Sequence, residues 1–321
     1  LRCSLRRSGP RDGRRRRLSL DEGRNRRSSL FCRTRRRGAG LRSRGRLLRW
    51  WSLLIPKNKQ KILLDSTYNL TNTNILKLTE KFLDNKINTT LAIALSLVKD
   101  YELHKLMATQ EYDKFNYNDI SQQIKDNTKF KNIWIQIIDK NGNSIYRSWS
   151  DKKGDNLFFR KDLKNFVEDK KVSTSISVGL YSMTIKARAP IIDEENNFLG
   201  ALEIIGQFNS IANDLKENKI DSVIIADKKY NEIIQLPFSK IFIDDYYVAN
   251  VNVNKELITY LQRNKIEKYL KINNYIIENN YLISKFDLYN NKNERLGYIL
   301  NFVKLNDIDL RIVVSFKIPT I

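Results

Sequence analysis

The chain has little of the chemistry on which enzymes and metal sites depend. Its 321 residues include two cysteines, Cys3 and Cys32, and one histidine, His104. From residue 51 onward the absence of cysteine excludes a thiolate nucleophile, a zinc cluster of cysteines and a disulfide framework. With one histidine, a Ser-His-Asp or Cys-His arrangement is not available in its usual form. We therefore expect no enzymatic activity, no cofactor and no metal site.

Long apolar runs are also missing. No stretch approaches the roughly 18 apolar residues that a bilayer crossing requires. The nearest candidate, residues 47–56, is short and contains Arg49. If the chain is part of a membrane receptor, we expect its membrane anchors to lie outside this sequence.

Positive charge is concentrated at the N-terminus. The first 50 residues contain 19 Arg, no Lys and three acidic residues, whereas the rest contains 6 Arg, 33 Lys and 33 acidic residues. The tail is rich in Arg, Gly, Ser and Leu, whereas the body is rich in Lys, Asn, Ile and Tyr. We therefore interpret residues 1–56 as a disordered or non-native segment, such as a misread upstream frame. A basic arm that binds nucleic-acid phosphates or an acidic membrane surface is the alternative.

The body begins with a helical pattern. From about Ser66 to Leu106, apolar residues recur at helical spacing, and neither Pro nor Gly interrupts them. Roughly 40 residues at 1.5 Å each reach about 60 Å, which is longer than a typical globular helix. We expect one long stalk helix within residues 57–110.

Strand patterns follow the helix. Residues 133–138 form a β-rich run that the Asn141-Gly142 pair separates from residues 144–147, which is typical of a β-hairpin. The further elements predicted in this half are a short polar helix (118–126), a second short helix (160–169), two strands that turn at Gly179 (173–192) and a closing strand (199–208).

The second half repeats this plan. Residues 225–233 align with residues 137–145 at a constant offset of 88, and Leu296-Gly297 aligns with Leu199-Gly200. Each half is then strand, turn, strand, helix and closing strands. This order predicts an α+β fold, in which a long N-terminal helix precedes two PAS-like modules with antiparallel sheets, at residues 111–218 and 219–321.

The order of these motifs resembles the double Cache sensor domains. The resemblance covers residues 60–318 and implies an extracytoplasmic domain of a chemoreceptor, histidine kinase or diguanylate cyclase. It places the receptor in a bacterial inner membrane, with this region facing the periplasm or the exterior. It also implies a small-molecule pocket, usually in the membrane-distal first module. The residues that carry it are the hairpin 138–143, Gly154-Asp155-Asn156-Leu157 leading into Arg160-Lys161-Asp162, Ala189-Pro190-Ile191 and Leu199-Gly200.

Nine side chains are candidates for this pocket. Arg pairs with carboxylates, an acidic residue accepts from an ammonium group, and Trp supplies an apolar or cation-π wall. The pattern predicts a ligand that bears a carboxylate or an amine. The candidates are Tyr146, Arg147, Trp149, Arg160, Asp162, Tyr181, Lys186, Arg188 and Glu203.

One short motif bears on the ligand class. Arg147-Ser148-Trp149 matches the start of the family's amino-acid-binding pattern of Arg, any residue, Trp and Tyr. Ser150 stands where the pattern has Tyr, so amino-acid binding is in doubt. A carboxylate-bearing ligand remains the expectation.

Each candidate also has a structural interpretation. Arg147 suits an ion pair, Trp149 suits a cover over the sheet edge, and the pair Arg160 and Asp162 suits a helix start. Lys186 and Arg188 alternate with apolar residues and face either solvent or an anionic pocket. Glu203 lies in an apolar run, and because a buried acid needs a partner we expect it to pair with one of these bases.

The predicted partners are a small-molecule ligand and, through segments outside this sequence, the membrane. A homodimer through the long helix is compatible with the pattern, although no sustained heptad specifies one. Nucleic acid is not an expected partner of the body. Two other functions stay open: a nucleic-acid-binding protein that uses the Arg-rich tail, and a non-signalling periplasmic binding or structural protein.

Overall fold

The computed structural model describes residues 56–308. Within that range the fold is α+β, with a long N-terminal helix followed by two antiparallel sheets, as the sequence predicts. The interpretation of residues 1–56 as a disordered or non-native tail lies outside the described residues, apart from Pro56. None of the helices within residues 56–308 combines the length and the apolar character that a bilayer crossing requires.

The first helix, α1, spans Lys57–Leu97 and has 41 residues. Its buried stripe is partly polar, and the hydroxyls of Thr79 and Thr90 donate to backbone oxygens one turn earlier, at 2.8 and 2.7 Å. These bonds satisfy the hydroxyls inside the helix, so they can be buried against the sheets. The buried residues are Thr67, Asn72, Ile75, Thr79, Leu83, Lys86, Thr90 and Ala94.

The prediction of one uninterrupted helix as far as Leu106 is wrong. The helix α1 ends at Leu97, and a separate helix, α2, spans Tyr101–Thr109. Asp100 has extended backbone angles, and its carboxylate accepts from the N–H of Glu102 at 3.2 Å. Asp is a preferred N-cap residue, so it starts a new helix where spacing of apolar residues alone predicts continuation.

A five-stranded antiparallel sheet follows, in the order β2-β1-β5-β4-β3. Asn141-Gly142 forms the predicted hairpin turn, and Gly142 has a φ of 82°, which favours glycine. The elements are α3 (Asn118–Asn127), β1 (Ile133–Asp139), β2 (Ser144–Arg147), α4 (Lys161–Asp169), β3 (Ser173–Val178), β4 (Met183–Ile192) and β5 (Phe198–Gly206).

The second sheet has four antiparallel strands in the order β6-β11-β10-β9, and a separate two-stranded hairpin, β7-β8, lies beside it. The helix α1 packs against both large sheets, and it donates from Asn72 Nδ2 to Asn274 Oδ1 at 2.7 Å. The elements are α5 (Asn209–Glu217), β6 (Asp221–Ala226), β7 (Phe242–Ile243), β8 (Tyr246–Tyr247), α6 (Lys255–Arg263), α7 (Glu267–Leu270), β9 (Tyr275–Glu278), β10 (Tyr281–Tyr289) and β11 (Arg295–Lys304).

The internal repeat is confirmed at its closing hairpins. A Cβ added at Gly200 would lie 2.2 Å from the backbone oxygen of Ile138, and one added at Gly297 would lie 2.1 Å from that of Ile225. Each glycine therefore allows the last strand of its hairpin to approach the first strand of its sheet.

The prediction that the second half repeats the first hairpin is wrong. After β6 the chain makes a short 3-10 turn at Lys228–Tyr230, and the described structure has no strand at residues 231–233. At the aligned offset Tyr230 stands where the first half has Gly142, so the glycine with positive φ that closes the first turn is missing.

Candidate functional site

The candidate residues gather on one face of the first sheet. Side chains alternate along β4, so that Ala187 and Ala189 point into the core shared with Ala94 of α1. Lys186 and Arg188 point to the opposite face. This opposite face is covered by α4 and by residues 148–160, which we call the cover segment.

Glu203 of β5 lies at the centre of this face. Its side chain is fully buried and accepts from Arg160 at 2.6 and 3.0 Å and from Arg188 Nε at 2.6 Å. The expectation that Glu203 pairs with a base is confirmed. Asp162, at the start of α4, also bonds both guanidinium groups, through Arg160 Nη2 at 3.2 Å and through Arg188 Nη2.

The four charges neutralise one another. Burial alone would raise the pKa of Glu203, but the charges of Arg160 and Arg188 outweigh it and hold this pKa at about 2. The same two arginines hold the pKa of Asp162 well below its usual range against the effect of burial. The network therefore joins α4 to β4 and β5 and leaves no net charge of its own.

Lys186 is the unpaired charge of the face. It is 3% exposed, and its Nζ donates to Ser177 Oγ at 2.6 Å. No acidic group among residues 56–308 forms a salt bridge with it. Burial, followed by the charge of Arg160, lowers its pKa to about 7. Lys186 can therefore gain or lose a proton near neutral pH.

Arg147 holds the cover segment onto the sheet. Its guanidinium donates to the two oxygens of Asp155 at 2.6 and 2.9 Å and to the backbone oxygen of Lys152 at 2.5 Å. The expected ion-pair role of Arg147 is confirmed. Because the arginine lies on β2 and its partners lie on the cover segment, the pair fixes that segment in a closed position.

Trp149 belongs to a cluster of aromatic rings. It stacks on Trp134 at 4.6 Å between ring centroids, with an interplanar angle of 10°. Tyr181 meets both indoles edge-on at 5.9 and 6.0 Å, and Phe238 meets Trp134 at 5.0 Å. The Nε1 of Trp149 is buried and has no acceptor among the described residues.

These groups surround a small cavity of about 40 Å³, which we call the inner cleft. A water molecule needs about 10–15 Å³ of cavity volume, so the cleft has room for a few waters and is too small for a typical small-molecule ligand. It is lined by Trp134, Gln136, Arg147, Trp149, Leu157, Phe159, Arg160, Gly179, Leu180, Tyr181, Ser182, Thr184, Lys186 and Ile205.

The remaining predicted residues lie elsewhere. Tyr146 precedes Arg147 on β2 and points to the other face of the sheet, where its hydroxyl accepts from the N–H of Tyr117 at 2.8 Å. Tyr146 does not line the inner cleft, so the structure does not support the ligand role predicted for it. Asp162 and Arg188 line a second, larger cleft, and Arg160 lines both.

Several residues of the inner cleft were not among the candidates. Gln136 interrupts the apolar run of β1, which was a usable signal, and its amide donates to Glu203 Oε2 at 3.1 Å when its nitrogen faces that carboxylate. Trp134 lies in the same apolar run, where a large apolar side chain is typical of the core. Phe238 does not line the cleft but contacts Trp134 from the second module, and no local pattern indicates that it reaches the first.

No group of side chains in residues 56–308 has the composition and spacing of a metal site. The charged network contains two acidic residues, and both are saturated by arginines. The chemistry that this face offers is therefore recognition by hydrogen bonds, charge and aromatic surface.

The known proteins that are similar to this chain are solved structures. No family model matches the sequence, and no curated protein sequence matches it. Three sensor domains are among the solved structures that match.

The sensor domain of the V. cholerae histidine kinase DctB is 13% identical, covers 77% of this chain and 98% of its own, and has a TM-score of 0.43. The ligand-binding domain of the Campylobacter jejuni chemoreceptor Tlp3, in complex with 4-methylisoleucine, is 14% identical over 83% of this chain and 100% of its own, with a TM-score of 0.45. The E. coli DcuS sensor domain is 15% identical over 42% of this chain and 98% of its own, with a TM-score of 0.36.

All three are sensor or ligand-binding domains. At these identities and TM-scores they carry no argument about the function or the ligand of this chain, which has to be inferred from the chain's own residues.

Proposed function

We propose that this chain is the extracytoplasmic sensing part of a bacterial membrane receptor, and that it binds a small carboxylate-bearing molecule in the inner cleft. The observation that carries this proposal is a pair of donors in one cleft that have no anionic acceptor among the described residues. Lys186 has a hydroxyl as its hydrogen-bond partner and no acid, and Trp149 Nε1 has no acceptor among the described residues. A carboxylate supplies both the acceptor and the negative charge.

The charges around the cleft support an anionic ligand. Arg147 is matched by Asp155, and the arginines at 160 and 188 are matched by the two acids of the network. Lys186, when protonated, adds one positive charge that no salt bridge within residues 56–308 balances. The stacked indoles of Trp134 and Trp149 add an apolar wall, which suits a ligand with a hydrocarbon or aromatic part.

Ligand entry requires the cover segment to move. A small-molecule pocket commonly has 300–1,000 Å³, and the inner cleft has about 40 Å³. The segment is held by the ion pair of Arg147 with Asp155, and half-exposed Phe159 lies at the rim of the cleft. Opening at this pair exchanges a closed state for a binding-competent one, and a ligand shifts the populations of the two states.

The wall of the cleft is joined to the second module. The backbone N–H groups of Leu236 and Phe238 donate to the oxygens of Leu180 and Tyr181 at 3.0 and 2.9 Å. The hydroxyl of Tyr247 bonds Ser182 Oγ at 3.2 Å. A change in the 179–182 turn is therefore transmitted directly to the second module, and through both sheets to α1.

The remaining parts of the proposal concern the setting of the domain. We infer that the chain acts by binding and not by catalysis, and that it faces the periplasm or the exterior at a bacterial inner membrane. Pairing of two copies through α1 is supported by apolar side chains that this helix exposes, such as Ile62 at 67% and Leu70 at 46%.

A thermal-shift screen of the chain against organic acids, amino acids, amines and purines tests the proposal, because a ligand that binds only the native state raises Tm. We expect hits among the carboxylates. Trp149→Phe removes the indole N–H but keeps an aromatic ring, and Lys186→Met removes the charge. Each should reduce the shift, whereas Tyr146→Phe, on the opposite face of the sheet, should keep it. Hits that all three variants retain would contradict the assignment of the site.

A further inference from the structure

A second cleft lies where the first module meets the second. Its volume is about 480 Å³, and it is bounded by α4 and β3 on one side and by residues 230–233 and 290–296 on the other. Small-molecule sites commonly have volumes of 300–1,000 Å³. We call it the junction cleft.

The edge of β3 brings backbone groups to this cleft. The strand is the last one in its sheet and pairs on one side with β4. Along an antiparallel strand, every second residue bonds its partner strand through its backbone. Gly179 N donates to Ser182 O at 3.0 Å, which makes Gly179 one of the residues that bond β4. The backbone groups of Ile176 and Val178 consequently point away from β4, although both residues are buried, at 6% and 7% exposure.

A neighbouring residue confirms this direction. Thr174 lies two residues before Ile176, so its backbone groups also point away from β4. Its backbone oxygen accepts from Asn291 Nδ2 of the second module at 2.6 Å. The N–H groups of Ile176 and Val178 have no acceptor among the described residues. Backbone N–H groups in native proteins are nearly always hydrogen-bonded, so water or an occupant of the cleft accepts from these two.

A third donor lies on the same strand. Ser173 Oγ is buried, faces the cleft and has no partner within residues 56–308. The N–H groups of Ile176 and Val178 lie about 10 and 16 Å further along the strand, at roughly 3.3 Å per residue, so one acceptor group cannot reach them as well. A carboxylate beside Ser173 gives its hydroxyl the missing acceptor.

Charge at the rim favours the same class of ligand. The cleft is lined by five basic and three acidic side chains. The arginines at 160 and 188 are neutralised by their own network, which includes Asp162. The remaining charges are Lys161, Lys171 and Lys292 against Asp169 and Glu294, which is an excess of one positive charge. Phe166, Ile233 and Leu296 provide an apolar wall opposite them.

We propose that the junction cleft is a second binding site, for a small carboxylate with an apolar or aromatic body. The carboxylate accepts from Ser173 Oγ, and the body lies against Phe166 and Leu296. Because the cleft takes its walls from both modules, an occupant holds them in one relative position. This site does not depend on the ligand proposed for the inner cleft.

The test uses 4-fluorophenylacetate as a probe and fluorine NMR line broadening on the full chain as the readout. The neutral 4-fluorophenylacetamide is the matched control for charge. We expect the acid to bind and the amide to bind at least tenfold more weakly. Ser173→Phe, which fills the cleft, and the double change Lys171→Glu with Lys292→Glu, which reverses the rim charge without touching the core, should each weaken the acid at least tenfold.

Two control variants separate this site from others. Lys140→Glu changes an exposed lysine in the β1-β2 turn, and Trp149→Phe changes the inner cleft; both should leave probe binding unchanged. Equal binding of acid and amide, or binding that persists in both junction-cleft variants, would overturn the proposal. Binding that is lost in Trp149→Phe and kept in the junction-cleft variants would also overturn it, since the probe would then occupy the inner cleft.

Discussion

Replacement of Lys86 by methionine should stabilise the protein, and more at pH 7 than at pH 9. Lys86 lies on the buried stripe of α1 and is 2% exposed. Its Nζ has no hydrogen-bond acceptor in the described part of the chain and lies 4.1 Å from the centroid of the Phe130 ring. Burial lowers its pKa from 10.5 to about 7, and the charge of Asp214 opposes this shift without reversing it.

The direction in which pH changes the free energy of unfolding follows from proton linkage. Between pH 7 and 10.5 the unfolded chain binds a proton at Lys86 that the folded chain has largely lost, so the free energy of unfolding rises with pH. The cost of burying this lysine is therefore greatest below the folded pKa. It amounts to about 4 kcal/mol at pH 7 and about 2 kcal/mol at pH 9, because each pKa unit is worth 1.36 kcal/mol.

The assay is urea denaturation of wild type and Lys86→Met at both pH values. Methionine loses the contact of the cation with Phe130, so the gain at pH 7 is expected below 4 kcal/mol, but it should exceed the gain at pH 9 by about 2 kcal/mol. Lys186 titrates in the same range in both proteins, so the difference between them isolates Lys86. Lys81→Met, an exposed position on the same helix, is the control. Parallel pH dependence of wild type and Lys86→Met would refute the reasoning.

Two further predictions concern the stability of the sheets. Glu203→Gln leaves the buried guanidinium groups of Arg160 and Arg188 with one acid in place of two, and we expect a loss of about 3–5 kcal/mol in urea denaturation; a loss under about 1 kcal/mol would contradict the network. Gly297→Ala places a Cβ 2.1 Å from the backbone oxygen of Ile225 and should lower the free energy of unfolding by more than about 2 kcal/mol. Gly179→Ala is the control, because its Cβ would meet Lys186 Nζ at 3.4 Å, and it should change stability little. Equal effects of the two variants would contradict the close approach of β11 to β6.

The sequence predicts those parts of the fold that local pattern determines. The Asn141-Gly142 turn and the Leu-Gly pairs of the closing hairpins follow from turn chemistry and from close backbone approach. The break in the N-terminal helix was missed because apolar spacing continues through it. Asp100 was the available signal, since an Asp before a helical segment is a common N-cap.

The sequence predicts most of the residues of the site but not how they pair with one another. Arg160, Arg188 and Glu203 were recognised as unusual because a charge in an apolar strand needs a partner, but their mutual pairing is tertiary. Tyr146 and Arg147 are adjacent in sequence and therefore point to opposite faces of the sheet, which separates one candidate from the rest. The contact of Phe238 with Trp134 joins residues about a hundred positions apart, and no local pattern predicts it.

The most direct test of the proposed sensing function is titration calorimetry of the strongest carboxylate from the screen, at pH 7 in two buffers of different ionisation enthalpy. Burial lowers the pKa of Lys186 to about 7, so the lysine is partly deprotonated before binding and becomes protonated beside a carboxylate. We predict a net proton uptake of less than one proton per ligand, and loss of both the uptake and most of the affinity in Lys186→Met. Tight binding without proton uptake, unchanged in Lys186→Met, would contradict the proposal that this lysine receives the ligand.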